Sequence, residues 1–308
     1  MTEPAALPPF PSPTRPMAGI LWMLAAGLCF TTVIVIVKHV GQTVPAAQAV
    51  FLRYATGLVF VLPMLPAVRR AGFAPRLAGR FAARGAMQAL ATLIWFFAMA
   101  RIPVAEVTAM GYLQPVYITL GAVLFLGERI AFRRIAAIAC AILGVLIVLR
   151  PGFRELSPGH LAMLASAPCF AVSYLMAKSL ADATSPGATV AWMSVMTALC
   201  LAPVAWATWV PVGWDQVAWL FLTAAIATGA HYAMMLAFRA APITMTQPAT
   251  FLQLIWSVAL GALLFGEPVD GFVILGGAVI LAAVVFIAWR EARARRPAAP
   301  PRPIAPGL

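Results

Sequence analysis

The sequence has 308 residues, of which 63% are hydrophobic and 10% charged, with a formal net charge of +12 and a mean hydropathy of +0.95. Soluble domains carry about 25% charged residues, so the composition excludes a water-soluble globular protein and indicates a chain that crosses a membrane several times. Nucleic-acid binding is also excluded as the reason for the charge, because the arginines lie between apolar runs and no nucleic-acid-binding motif occurs.

Ten apolar runs of about the length that crosses a bilayer follow one another, so the predicted fold is an all-α membrane protein with ten transmembrane helices. The predicted spans one to ten are 18–37, 46–67, 84–100, 103–126, 132–150, 160–180, 187–209, 216–238, 242–265 and 269–289. The proline-rich segment 1–17 is expected to be a disordered tail and not a cleavable signal, since no small-residue cleavage site follows it. Residues 291–308 are expected to form a basic, proline-rich cytoplasmic tail.

The distribution of lysine and arginine orients the spans. If the N-terminus is cytoplasmic, sixteen of these residues fall inside the cell and four fall outside, namely Lys38, Arg101, Arg150 and Arg154. Positive charge concentrates on the cytoplasmic side of membrane proteins, so both termini are predicted to be cytoplasmic.

The two halves of the chain repeat each other. LQPVYITLGAVLFLGER at 113–129 matches LQLIWSVALGALLFGEP at 252–268, and MLAAGLCF at 23–30 matches MLASAPCF at 163–170 in nearly the same register. The predicted repeats are 18–150 and 151–290, with five spans each. Because five is odd, the second repeat enters the membrane from the opposite side, which is an inverted-topology repeat typical of secondary transporters.

The repeat pairs two amides at the middle of the membrane. Gln114 follows Pro103 in span four at the same spacing at which Gln253 follows Pro242 in span nine. At 1.5 Å per residue, a helix climbs roughly 16 Å over that spacing, about half of the hydrocarbon core. We therefore predict that both amides bind substrate; the alternative is that they join neighbouring helices.

Several motifs resemble the drug/metabolite transporter superfamily in its ten-span form with two EamA domains. They are LGER at 126–129, FGEP at 265–268, FLRY at 51–54, and AEVTAMGYLQPVYITLGAVLFLGE at 105–128. The resemblance covers roughly residues 18–290 and is not specific for a substrate. FGEPVD departs from the pattern, because proline replaces the usual basic residue.

The resemblance implies a multi-pass carrier of the bacterial inner membrane whose spans three, four, eight and nine line a central cavity. The substrate it implies is a riboflavin-like, S-adenosylmethionine-like or amino-acid-type metabolite, and a drug or metabolite efflux pump of the same fold is the alternative. No P-loop is present, so the chain cannot itself use ATP and is predicted to be a secondary carrier.

Aromatic side chains and one histidine complete the predicted substrate site. Aromatic walls suit a flat or apolar substrate, and a histidine can bind substrate or exchange protons near neutral pH. The predicted residues are Trp95, Tyr112, Tyr117, Trp256, His231 and Tyr232. For the histidine, simple packing between helices is the alternative.

Two charged residues inside spans are candidates for gating or proton coupling. Arg53 in span two and Glu106 in span four lie at similar shallow depths on the outer side. A charge inside a span is costly and usually has a partner, so these two are expected either to form an ion pair that gates the outer mouth or exchanges a proton, or to be structural.

Glu128 and Glu267 end spans four and nine and carry the signature of the resembling family. A carboxylate is favoured at a helix N-terminus, so we predict that each caps a neighbouring helix as a structural feature.

An intramembrane enzyme and a channel are the rival classes. No HExxH, GxSxG or paired intramembrane aspartates occur, and no charged or carbonyl-rich filter segment is evident. No cofactor or metal is expected, and the four cysteines lie in apolar runs without a CxxC pair. The expected partners are a small-molecule metabolite, the lipid bilayer and, as a coupling ion, the proton.

Overall fold

The computed structural model describes residues 16–71, 75–126, 132–153, 155–181, 186–240, 249 and 251–294. Within these ranges the chain is all α-helical, with one 310 segment and no β-strand. The tails and the remaining segments, including Glu128 with its side chain, lie outside the described residues.

The first half contains seven described α-helices. They are α1 Pro16–Val40, α2 Ala46–Gly57, α3 Leu65–Ala71, α4 Pro75–Met99, α5 Val104–Gly111, α6 Gln114–Leu126 and α7 Phe132–Leu149. A 310 helix at Leu58–Met64, with Pro63 inside it, joins α2 to α3 within predicted span two.

The second half contains five described α-helices. They are α8 Pro158–Ala181, α9 Pro186–Ala207, α10 Trp214–Ala240, α11 Phe251–Phe265 and α12 Gly271–Ala294. Four segments of the described chain are long and apolar enough to cross a membrane: Met17–Val40, Ala46–Pro63, Leu77–Met99 and Ala188–Ala207. Shorter apolar helices occupy Ile135–Leu149, Leu252–Phe265 and Gly271–Ile287.

Helices of the first half pack mainly on helices of the second half. α1 lies against α10 and α11, α4 against α8 and α9, α2 against α9 and α10, α6 against α8, and α7 against α12. A continuous core of buried aliphatic and aromatic side chains runs through both halves. The interior between the halves is therefore one packed interface with small openings in it.

Small residues allow α7 and α12 to cross closely. A Cβ on Gly144 of α7 would lie 2.7 Å from the Gly276 carbonyl of α12, and a Cβ on Gly276 would lie 2.5 Å from the Gly144 carbonyl. Membrane helices associate through such close backbone approach because lipid provides no hydrophobic drive between them. α7 and α12 thus form a tight pair at one side of the molecule.

Candidate functional site

Three of the predicted site residues share one cavity. Gln114 at the start of α6, Gln253 in α11 and Tyr112 just before α6 all line a space of about 170 Å³ between the two halves. The backbone of Leu254 hydrogen-bonds the Tyr112 side chain and holds it beside α11. The repeat-related amides are therefore close together in space, although they belong to different halves of the sequence.

The cavity wall comes from α1, the α5–α6 connection, α10, α11 and α12. The lining residues are Met23, Ala26, Gly27, Phe30, Gly111, Tyr112, Gln114, Pro115, Met234, Gln253, Leu281 and Val284. None of the described lining residues carries a charge, and two amides and a phenol supply their polar side chains. Spans four, eight and nine contribute as the resemblance implied, whereas spans one and ten contribute in place of span three.

Span four is interrupted where it borders the cavity. α5 ends at Gly111 and α6 begins at Gln114. The N–H groups of the two residues between them donate to carbonyls three residues back at 3.1–3.3 Å, which is the 310 pattern. Pro115 follows and has no N–H with which to continue an α-helix. The break places irregular backbone at membrane depth, where it is tolerated only inside protein or beside a cavity.

A cluster of three buried hydroxyls lies on the predicted outer side of the cavity. Ser257 lies 2.6 Å from Thr108 and 3.4 Å from Thr31, between the hydroxyl oxygens. Each hydroxyl stands one helical turn from a residue of the cavity wall, on α11, α5 and α1 respectively. The sequence predictions missed this cluster, because isolated Ser and Thr residues are common inside apolar helices.

The predicted aromatic residues divide between the cavity and the core. Trp256 lies beside the cavity, since its ring is 3.5 Å from where a Cβ on Gly27 would be. Trp95 instead packs edge-on against Phe170, with ring centroids 5.9 Å apart, and Tyr117 packs against the main core. His231 and Tyr232 belong to α10, but their side chains lie outside the described part of the chain.

The second Gly-Glu motif forms a cap on the start of α5. Gly266 has φ +65°, so it ends α11 in the left-handed conformation and turns the chain back. The Glu267 Oε2 atom then accepts a 2.8 Å hydrogen bond from the N–H of Val104, the first residue of α5. Lys38 Nζ lies 2.7 Å from Glu267 Oε1 as an ion pair and donates its hydrogen bond to the Ile102 carbonyl, also at 2.7 Å.

Glu106 pairs with His160, and the structure does not bring it into an ion pair with Arg53. The Glu106 Oε2 and His160 Nε2 atoms are 2.6 Å apart, and both side chains are buried. Arg53 lies over the rings of Tyr54 and Phe96, at 4.9 and 5.9 Å from their centroids. The partner was missed because His160 stands at a span end, where a histidine usually faces the membrane interface.

The tautomer of His160 follows from its contacts. The Ser157 backbone N–H donates to His160 Nδ1 at 3.0 Å, and a backbone N–H cannot accept. The proton of the neutral ring therefore resides on Nε2 and points at Glu106. The pair links α5 of the first half to α8 of the second at the predicted outer end.

Two further amides, one buried and one partly buried, escaped the sequence predictions. Gln48 of α2 donates to the Val210 carbonyl at 2.8 Å and accepts from the Val210 N–H at 3.0 Å, so it ties α2 to the loop before α10. Gln88 of α4 accepts from Ser173 of α8 at 2.8 Å and lies within 3.4 Å of the Tyr54 hydroxyl. Neither amide has a repeat mate, so the internal repeat gave no signal for them.

A larger cavity of about 480 Å³ lies elsewhere, between α1, α2 and α4. Its wall is almost entirely apolar, with the Arg101 side chain at one edge and no predicted site residue. Since ligand sites combine apolar walls with a few convergent polar groups, the smaller cavity with its amides is the better candidate. Among the described residues no cluster of metal-binding side chains occurs.

Comparison with known families identifies both halves. The model of the "EamA-like transporter family" matches residues 17–150 and again residues 157–289. The two matches fall on either side of the predicted repeat boundary and together span most of the chain.

Three relatives share nearly full length with this chain. A riboflavin transporter of Rhizobium johnstonii is 32% identical, over 92% of this chain and 95% of its own. The pseudopaline exporter CntI of Pseudomonas aeruginosa is 25% identical, over 88% and 95%. An S-adenosylmethionine uptake transporter of Rickettsia prowazekii is 22% identical, over 89% and 93%.

Proposed function

The chain belongs to the EamA-like transporter family, and on that premise we propose that it is a secondary carrier. It moves a small, uncharged organic metabolite across the cytoplasmic membrane by alternating access, with riboflavin as the first candidate. The observation that carries the proposal is the convergence of two repeat-related amides, Gln114 and Gln253, on one cavity between the halves.

The helix packing supports ten spans in two inverted repeats. Exchanging the halves turns the pair of spans one and eight (α1–α10) into spans six and three (α8–α4). In the same way, the pair of spans two and eight becomes the pair of spans seven and three, and the pair of spans one and nine becomes the pair of spans six and four. The pair of spans two and seven and the pair of spans five and ten are each unchanged by the exchange. Each of these pairs is in contact, as two structurally equivalent repeats require.

The chemistry of the cavity favours an uncharged substrate. Its lining residues offer two amides and one phenol, and none of them offers a charge. Moving a charged group into such an environment without a partner is costly, whereas amides can each donate and accept hydrogen bonds from a neutral polar ring. Riboflavin is uncharged at neutral pH, whereas S-adenosylmethionine is a cation and amino acids are zwitterions.

The predicted outer end is closed by contacts between the halves, and we assign these contacts to the gate. Lys38–Glu267 joins α1 to the residues after α11, and Glu106–His160 joins α5 to α8. Opening toward the outside requires both to separate. The Glu106–His160 pair is a buried carboxylate–imidazole contact between the halves, so it is our candidate for the coupling-proton site, while Arg53 of α2 lies over the rings of Tyr54 and Phe96.

Uptake in cells tests the substrate. A riboflavin-auxotrophic bacterium without a flavin carrier of its own is expected to accumulate labelled riboflavin when it expresses this protein, with excess S-adenosylmethionine having no effect. Efflux from preloaded cells tests the opposite direction, for which the pseudopaline exporter is the precedent. If riboflavin moves in neither direction, the substrate assignment fails.

Substitutions test the site. We expect Gln114→Ala and Gln253→Ala each to lower kcat/KM roughly five- to tenfold, the effect of losing about one hydrogen bond. Gln42→Ala is the matched control, since Gln42 is an exposed amide that bonds the carbonyls of Lys38 and Ala100 away from the cavity. Unchanged transport in both cavity variants would remove the amides from the site.

A further inference from the structure

Within the proposed carrier, we infer that the break in span four is itself part of the substrate site. The peptide carbonyl of Gly111, left without a helical partner at the break, is a hydrogen-bond acceptor for an N–H group of the substrate. The inference rests on the proposed function and adds a backbone group to a site otherwise described by side chains.

The carbonyl lacks a donor because of the two residues that follow the turn. In a continuous helix the N–H of residue 115 would donate to the Gly111 carbonyl, but residue 115 is proline, which has no N–H. The next N–H, that of Val116, donates to the Leu113 carbonyl at 2.9 Å. The other N–H groups that the structure shows bonding around the break, those of Tyr112, Leu113 and Tyr117, donate to the carbonyls of Ala109, Met110 and Leu113, and none of them reaches the Gly111 oxygen.

A carbonyl without a hydrogen-bond donor has few other possible donors at the predicted depth of the break in the membrane. In the hydrocarbon region no solvent is available, and each unsatisfied backbone group costs several kcal/mol. Gly111 and Pro115 both line the cavity, so the acceptor group belongs to the same wall as Gln114 and Gln253. Discontinuous helices in transporters present their free backbone groups to the substrate in this way.

The absence of a side chain at residue 111 keeps the carbonyl accessible. A Cβ there would meet only the Met163 methyl, at 3.7 Å, so packing does not require glycine. Glycine does allow a ligand to approach the backbone closely. A carbonyl beside two amides and no charge fits a neutral heterocycle that carries an N–H donor next to ring acceptors.

Restoring the missing N–H tests the inference. Pro115→Ala gives residue 115 a donor that can bond the Gly111 carbonyl and remove it from the site. We expect riboflavin to bind purified Pro115→Ala protein five- to tenfold more weakly, measured by quenching of flavin fluorescence at equilibrium. The thermal midpoint without ligand should stay equal or rise, since residue 115 gains a backbone hydrogen bond.

Pro203→Ala is the matched control. Pro203 also stands inside a helix, α9, but on an exposed surface away from the cavity. This variant should gain helix stability in the same way while binding riboflavin as the wild type does.

A ligand analogue supplies the second measurement. Riboflavin methylated at its imide nitrogen lacks that N–H donor, so the wild type should bind it more weakly than riboflavin, whereas Pro115→Ala should discriminate less. Equal affinity of wild type and Pro115→Ala for riboflavin, or undiminished discrimination in the variant, would overturn the inference and leave the proposed function standing. If wild-type protein binds no flavin at all, the proposed substrate fails, and the inference built on it fails as well.

Discussion

Removing the Glu267 carboxylate should destabilise the protein by several kcal/mol. This side chain accepts the Val104 N–H at the start of α5 and holds the Lys38 ammonium, and each side chain of the ion pair is only about a tenth exposed, 13% for Lys38 and 11% for Glu267. Loss of a helix cap costs about 0.5–2 kcal/mol, and a buried ion pair that loses one partner costs about 3–5 kcal/mol. Because Lys38 keeps the Ile102 carbonyl, we expect the lower end, about 3 kcal/mol, for Glu267→Ala.

The two contributions can be separated. Glu267→Gln keeps an oxygen for the Val104 N–H and loses only the charge, so it should cost about 1 kcal/mol less than Glu267→Ala. The double variant Lys38→Met/Glu267→Gln should lose less unfolding free energy than the sum of the two single variants, because it contains no unpaired charge. A coupling energy of at least ~1 kcal/mol is expected.

The assay is equilibrium unfolding in mixed micelles by titration with SDS, followed by tryptophan fluorescence. Glu155→Ala serves as the control, since Glu155 is exposed and should change the free energy of unfolding by no more than about 0.5 kcal/mol. A Glu267→Ala variant as stable as this control would refute the assignment of the Gly-Glu motif to the scaffold.

Three further predictions concern the cavity, the helix crossing and the topology. Gly27→Leu should abolish riboflavin transport, because the new Cβ would lie 3.4 Å from that of Gln253 and the rest of the leucine side chain would fill the cavity. Gly79→Leu is the control and should transport normally, since the space around Gly79 is open. Gly144→Ala should lower the free energy of unfolding by about 1–3 kcal/mol in the SDS titration, since its Cβ would lie 2.6 Å from Ile280. In a cysteine-free background, Phe73→Cys and Val212→Cys should react with membrane-impermeant maleimide from opposite sides of the membrane, and labelling from one side would exclude the inverted repeat.

The sequence was sufficient to predict the helical class and the family, because both follow from patterns that are periodic or repeated. Apolar runs predict the helical class because lipid leaves few other ways to satisfy the backbone, and the family is confirmed over both halves. Gln114 and Gln253, which the repeat spacing pairs, line one cavity, and in the proposed inverted repeat such equivalent residues lie near the pseudo-symmetry axis. For Glu267, the attraction of a carboxylate for a helix N-terminus predicts a cap on a neighbouring helix, but the sequence does not say which helix it caps.

Features that depend on pairing across the interface were not predictable. Nothing local distinguishes His160 at a span end from an interfacial histidine, so its contact with Glu106 was missed. The break in span four was hidden from hydropathy, because its turn residues are as apolar as a helix interior. Pro115 signalled a kink there, but a proline alone does not show whether the helix bends or stops.

The pairing of Lys38 with Glu267 also bears on how the chain is made. Lys38 belongs to the first described helix, whereas its carboxylate partner follows the next-to-last one and is synthesised much later. At typical elongation rates of about 5–20 residues per second, the lysine waits on the order of ten seconds or longer. During that time its flexible stem must carry the ammonium to the headgroup region. The Lys38–Glu267 ion pair therefore forms late in biosynthesis. A ribosome that stalls before α11 leaves a first half in which Lys38 lacks its carboxylate partner.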